Sequence, residues 1–399
     1  MKSILVTFFC FAIVNVAVAM DAVIWRQELS SDSNSECRPG AMVVDNKSNE
    51  VIILGTSTQL DAKKSDFQLW KIDPNGSVKH KKSLGPSSKR NSLMAGPFGI
   101  KASVKPDTGD IVRLNMFDDD DANGISLSIT NRNMQSRSAK LGVRRKRSET
   151  FLLHDMTSYQ NNNLLFVGQE SLNGIVMKTD LSGNVLWKKT FDRGQVDILS
   201  SVACAPDGND FYVVGLSTSM SGKMTFAGPA TICVLHYDGN GELKASDFFE
   251  GGIAPWPSSL PKVICLPFGI VMVVYDKSRN GKTTELYVKA YSPELEPLYE
   301  KQILKTKEDG PPAYFDICVA SKDRFVLAGK INHKDLRLYE CKADGAILQT
   351  LELDGEVGAG GVYVEYLSGK IFVAFATRSQ KNIKGTKIEL LALKPYKTN

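Results

Sequence analysis

The stretch that decides the fold runs Leu164-Leu165-Phe166-Val167-Gly168, then Ile175-Val176-Met177, Asp180-Leu181-Ser182-Gly183 and Val185-Leu186-Trp187. Short apolar runs punctuated by Gly and by Asp/Ser-Gly turns predict strand, loop, strand, tight hairpin, strand. The same string recurs along the chain. Hairpin turns of this kind fall at Asp73-Pro74-Asn75-Gly76, Asp180 to Gly183, Asp238-Gly239-Asn240-Gly241 and Ala343-Asp344-Gly345, where positive φ calls for Gly, Asn or Asp. Degenerate copies lie at Thr130 to Asn133, Ser292 to Leu295 and Lys394 to Tyr396, which makes seven in all. An apolar strand ending in Gly precedes most of them, as in Val51 to Gly55, Phe211 to Gly215 and Phe325 to Gly329. A period of roughly fifty residues with about four short strands per unit predicts an all-β, seven-bladed β-propeller.

The ends of the chain predict how the ring closes. Ala22 to Leu29 resembles the strand after a hairpin, as at Asn184 to Phe191, whereas the seventh repeat stops just after its own hairpin position at Lys394. Val23 to Glu28 is therefore expected to pair with Ile388 to Leu393, which removes two open sheet edges. Residues 1–19 carry one Lys, an apolar run from Ile4 to Val14 and Ala17-Val18-Ala19. This is the pattern of a secretory signal peptide cleaved after Ala19, with residues 20–399 left as one propeller domain, secreted or periplasmic. No other stretch approaches the roughly twenty apolar residues of a transmembrane helix.

Beyond Cys10 the chain has six cysteines, an even number that permits disulfides in an exported protein. Cys204, Cys265 and Cys318 recur at nearly equivalent places on the expected innermost strands, which points to small buried thiols near the axis.

The units Val202 to Gly215 and Cys233 to Leu243 resemble the delta-60 type repeats of exported bacterial propellers, and Met177 to Trp187 resembles the repeats of quinoprotein-like propellers. Only Trp187 keeps the Trp that such repeats place after the hairpin, with Lys79, Ala245, Tyr299 and Gln349 near that place elsewhere. The resemblance implies a propeller, and quinone-binding enzymes are a poor match.

On such a fold function is expected where the second-to-third strand loops and the blade junctions emerge, opposite the hairpins. Lys223, Arg279, Lys282, Lys330, Lys334 and Arg378 fall there, which predicts a basic face although the net charge is only +5. The expected partner is a protein or an anionic glycan, and nucleic acid is not expected. Asp119, Asp121 and Asn123, followed by Gly124, have the alternate oxygen ligands of the first half of a calcium loop, but Leu127 and Thr130 do not complete it. Calcium is the one cofactor this spacing allows for, and a solvated acidic turn is the alternative. Acid-base candidates are His154, followed by Asp155, and His333. They frame the rival reading, a polysaccharide lyase or other carbohydrate-active enzyme on the same fold, which needs one of them at the axis beside Tyr and Arg.

Overall fold

The computed structural model describes residues 22–396 except 31–34, 60–64, 87–100, 106, 120–121, 146–150, 220–229, 253–259, 278–283, 307–313, 332–334, 354–360 and 379–385. Twenty-eight strands form seven antiparallel four-stranded sheets. Blade 1 is β2–β5 (35–86), blade 2 β6–β9 (101–145), blade 3 β10–β13 (151–191), blade 4 β14–β17 (196–250), blade 5 β18–β21 (262–306) and blade 6 β22–β25 (314–353). In each of these, neighbours in sequence are neighbours in the sheet, so each blade is a meander. No helix among the described residues is long and apolar enough to cross a membrane.

The seventh sheet has the order β1-β28-β27-β26, so the N-terminal strand β1 (Val23–Leu29) is the outer strand of the blade made by β26 (Tyr363–Leu367), β27 (Lys370–Arg378) and β28 (Thr386–Leu393). Val23 pairs with Leu393 and Leu29 with Ile388, the pairing expected from the repeat that lacks its last strand. Arg26 and Glu389 form an ion pair of 2.6 Å across this seam, and Lys394 N donates to Ala22 O at 2.9 Å.

Second and third strands are apolar on both faces because each blade is sandwiched between two others: Val51 to Leu54, Leu164 to Val167 and Val271 to Tyr275 are wholly buried. Outer strands alternate instead, as in the exposed and half-buried positions of β13 (Val185–Phe191). The hairpin glycines carry the positive φ their turns need, at +93° for Gly76, +85° for Gly183, +80° for Gly241 and +75° for Gly345. In the degenerate copies Met134 (φ 63°) and Leu295 (φ 65°) take the same conformation without being glycine.

Strands continue further into the expected loops than composition suggests. β7 runs Ile111–Asp119 and β8 runs Ala122–Thr130 with Asp119 opposite Ala122, so Asp119, Asn123 and Gly124 belong to paired strands rather than to a loop. β15 runs Asp210–Thr218, past the Gly215 that ends its apolar run, and β19 runs Val271–Asp276.

Candidate functional site

The innermost strands meet around an axial cavity of about 330 Å3. These strands are β2 (Ser35–Asp45), β6 (Lys101–Val104), β10 (Phe151–Tyr159), β14 (Val196–Cys204), β18 (Lys262–Cys265), β22 (Tyr314–Ser321) and β26. Their registers against the second strands place one charged or small residue from each of blades 2 to 6 at a similar depth. Lys101 is opposite Leu114, Asp155 opposite Val167, Ser201 opposite Val214, Lys262 opposite Val274 and Asp316 opposite Ala328. In blades 1 and 7 the same level is held by Ala41, opposite Leu54, and Tyr363, opposite Ala374, while Glu365 lines the cavity two residues further along, opposite Phe372.

Much of this ring is internally satisfied. Asp155 accepts hydrogen bonds from Ser201 Oγ (2.9 Å) and the Val202 amide (3.1 Å), which ties blade 3 to blade 4. Asp316 accepts from the Val364 amide at 3.2 Å and lies 3.7 Å from the Lys262 amine, which ties blade 6 to blades 7 and 5. Burial alone would lower the Lys262 pKa, but Asp316 and Asp155 outweigh it and hold it above the ordinary lysine value. Burial, reinforced by Lys262, brings Lys101 down to about 8 against the pull of Asp155 and Asp316. Burial pushes Glu365 up to about 8, with Asp316 adding to the shift.

His154, one of the two acid-base candidates, lies in the bulge of β10 and is only 1% exposed. Burial, with Lys101 and Lys262 nearby, brings it down to about 3, so its imidazole is neutral at physiological pH and out of reach of a substrate. Among the described residues no arginine lines the cavity. His333 lies outside the described residues, as do the side chains of Lys223, Arg279, Lys282, Lys330, Lys334, Arg378, Asp119, Asp121 and Asn123; Lys330, Arg378, Asp119 and Asn123 belong to strands by backbone alone. No group of three His, Cys, Asp or Glu among the described residues could hold a metal ion.

The six described cysteines are all free, with Cys204, Cys265 and Cys318 on inner strands as expected. Burial pushes Cys204 up to about 11 and Cys265 up to about 12, far from thiolate chemistry.

A second concavity, of about 580 Å3, opens on the hairpin face between blades 4 and 5. Its walls are Pro206, Pro267, Pro293 and Phe268, the last 66% exposed although large and apolar. Asp207, Asp210 and Glu294 give it an acidic mouth. Asp210 is neutralised there, because His236 Nε2 is 2.9 Å and Lys244 Nζ 2.7 Å from the same Oδ2. Asp207 and Glu294 are exposed, and neither is in an ion pair among the described residues.

These features define the chain as a seven-bladed β-propeller closed by its own N-terminal strand, with a charged axial cavity and a groove between two blades. No protein-family model matches it, and no curated protein matches it in sequence. Its fold is similar to that of a protein of unknown function from Dyadobacter fermentans DSM 18053, with 10% identity over 93% of this chain and 99% of that one and a TM-score of 0.51. It is also similar to BBS1N solved in complex with ARL6DN (11% identity, 94% and 97% covered, TM-score 0.50). The β-propeller domain of the Trilobed protease from Pyrococcus furiosus follows at 10% identity, 90% and 96% covered and TM-score 0.49. At such identities the likeness is one of fold alone.

Proposed function

We propose that the chain is a binding or scaffold propeller whose partner is a protein, and that the groove between blades 4 and 5 receives a basic, extended segment of that partner. The observation that carries this reading is Phe268, set 66% exposed among three prolines in a groove whose unneutralised groups are both acidic. An exposed aromatic in a concave, rigid frame is the usual anchor of a protein contact, and the acidic mouth selects positive charge. BBS1N, a chain of similar fold, was solved with a protein partner, which supports the class of function. The lyase reading loses its described base, because His154 is buried.

Lys223, Arg279, Lys282, Lys330, Lys334 and Arg378 enter the proposal as a second contact surface on the opposite face. Export after cleavage at Ala19 and a calcium ion held by Asp119, Asp121 and Asn123 belong to it too. N-terminal sequencing of the mature protein tests the first, and a calcium-dependent rise in Tm that is lost on replacing Asp119 and Asp121 by Asn tests the second.

The central test uses an array of decapeptides in which Lys or Arg alternates with Pro and apolar residues, beside charge-reversed Glu counterparts. The basic set should bind, Phe268→Ala and Glu294→Lys should abolish binding, and Val78→Ala, on the outer strand of blade 1, should leave it intact. Equal binding of both sets, or by the Phe268→Ala protein, overturns the groove. Binding of a sulfated glycan that survives Phe268→Ala and fails when Lys282, Lys334 and Arg378 are replaced by Glu would assign the contact to an anionic glycan instead.

A further inference from the structure

Two groups in the axial cavity stand apart from the rest of the ring. The Lys101 amine, on a side chain only 8% exposed, makes no hydrogen bond or ion pair among the described residues, and neither does the Glu365 carboxyl, although both line the cavity. The other charges there are committed, Lys262 to Asp316 and Asp155 to Ser201 and Val202. An acid and a buried amine that face one cavity without joining each other or any other group leave room for something between them.

The lining shows where that room comes from. Lys101 belongs to blade 2 and Glu365 to blade 7, and the blade between them, blade 1, lines the cavity with residues 40–44, no longer than Ala41 at the level of Lys101 and Val43 at that of Glu365, with Gly40 beside them. A longer side chain at either place would fill the gap or let a protein group bridge it. Gly40 is the extra residue of a bulge in β2, between Pro39, paired with Gly55, and Ala41, paired with Leu54, so the local backbone geometry itself sets the small wall there. The volume of about 330 Å3 sits at the small end of cavities that take small molecules.

We infer that the axial cavity binds a small zwitterion of the amino-acid class, its carboxylate on the Lys101 amine, its ammonium on the Glu365 carboxylate and its body against Gly40 and Ala41. A simple anion would satisfy only one end and face Asp155 and Asp316 besides. A simple cation would meet Lys101 and Lys262. The zwitterion satisfies both free groups and adds no net charge to the cavity. Occupancy also favours the charged forms of both groups, since each gains an opposite charge within a site that otherwise disfavours ionisation.

The test uses the full chain and a series of ω-amino acids of three to eight carbons at constant ionic strength, with the alkanoates and alkylamines of matched length as single-charge controls. One or two adjacent lengths should raise Tm saturably, and neither control should. Lys101→Met and Glu365→Gln should each weaken that response at least tenfold in Kd while leaving the spectroscopic fold and decapeptide binding in the groove unchanged. Should a variant fail to fold, reductive methylation of the wild-type chain read by mass spectrometry decides: the best ω-amino acid must protect Lys101 and leave surface lysines such as Lys189 reactive. No saturable response at any length, an equal response to the single-charge controls, an undiminished response in both variants, or no protection of Lys101 overturns the site.

Discussion

The indole of Trp25 packs on Gly76 of the neighbouring blade so closely that a Cβ added there would come within 2.9 Å of Trp25 Cδ2, while Trp25 Nε1 donates to Pro74 O at 3.0 Å. The outer strand of one blade is thus locked to the hairpin of the next, and glycine is needed twice, for φ +93° and for the ring. Trp187 stands over Gly241 and Tyr299 over Gly345 in the same way, with the Tyr299 hydroxyl donating to Ala343 O. Trp25 differs in coming from the far end of the chain, so its contact closes the ring. Trp25→Ala should cost about 2–4 kcal/mol by denaturant titration, and Gly76→Ala about 1–3 kcal/mol through clash and strain together.

The strain and the clash separate in a paired experiment. Gly241 and Gly194 both have positive φ, +80° and +74°, but a Cβ at Gly241 meets Trp187 at 3.1 Å whereas one at Gly194 meets nothing within 4 Å. Gly194→Ala should therefore show the conformational cost alone, of about 1 kcal/mol, and Gly241→Ala clearly more. Equal losses would mean that the Trp187 ring yields freely.

Glu365 makes stability depend on pH in a stated direction. Burial, with Asp316 facing it, pushes its pKa from the ordinary carboxylate value up to about 8, so the folded chain keeps a proton that the unfolded chain gives up. Stability then falls as pH rises from about 4.5 to about 8 and levels off beyond. Lys101, brought down to about 8, works in reverse and adds stability as pH rises from about 8 towards 10.5. Glu365→Gln should flatten the decline between pH 5 and 8 in urea titrations, leaving the rise above pH 8 in place. A variant with the parental pH profile would show that Glu365 ionises normally.

Thiol chemistry should be quiet. With all six described cysteines free and burial pushing Cys204, Cys233, Cys265 and Cys341 up to about 11 or 12, native protein at pH 8 should resist alkylation. Unfolded protein spanning residues 20–399 should take six labels without prior reduction, read by mass. Fewer than six would reveal a disulfide.

The period, the hairpins and the closing strand are legible in the sequence because turn chemistry and short-range alternation are local: Asp180 to Gly183 announces its turn whatever surrounds it. The axial ring is not, because Lys101, Lys262, Asp316 and Glu365 are brought together only by closure of seven blades from positions more than two hundred and fifty residues apart. A signal does exist, in that several inner strands interrupt an apolar run with one charge, as in Tyr314-Phe315-Asp316-Ile317 and Tyr363-Val364-Glu365. The strand pairing at Asp118 and Asp119 was hidden by composition, since a run of four aspartates reads as loop while the backbone pairs through Asp119. Phe268 escaped because one aromatic in a Pro-Phe-Gly turn looks like turn filler until Pro206 and Pro293 are set around it.

Native-state hydrogen exchange on the full chain tests the closed ring most directly. The amides of Val23–Leu29 that pair with Thr386–Leu393 should exchange as slowly as those of Leu243–Glu250 in blade 4, and Trp25→Ala should speed both members of the seam together. Fast exchange of Val23–Leu29 beside a protected Thr386–Leu393 would contradict closure by the N-terminal strand, and with it the ring on which the axial cavity and the groove both depend.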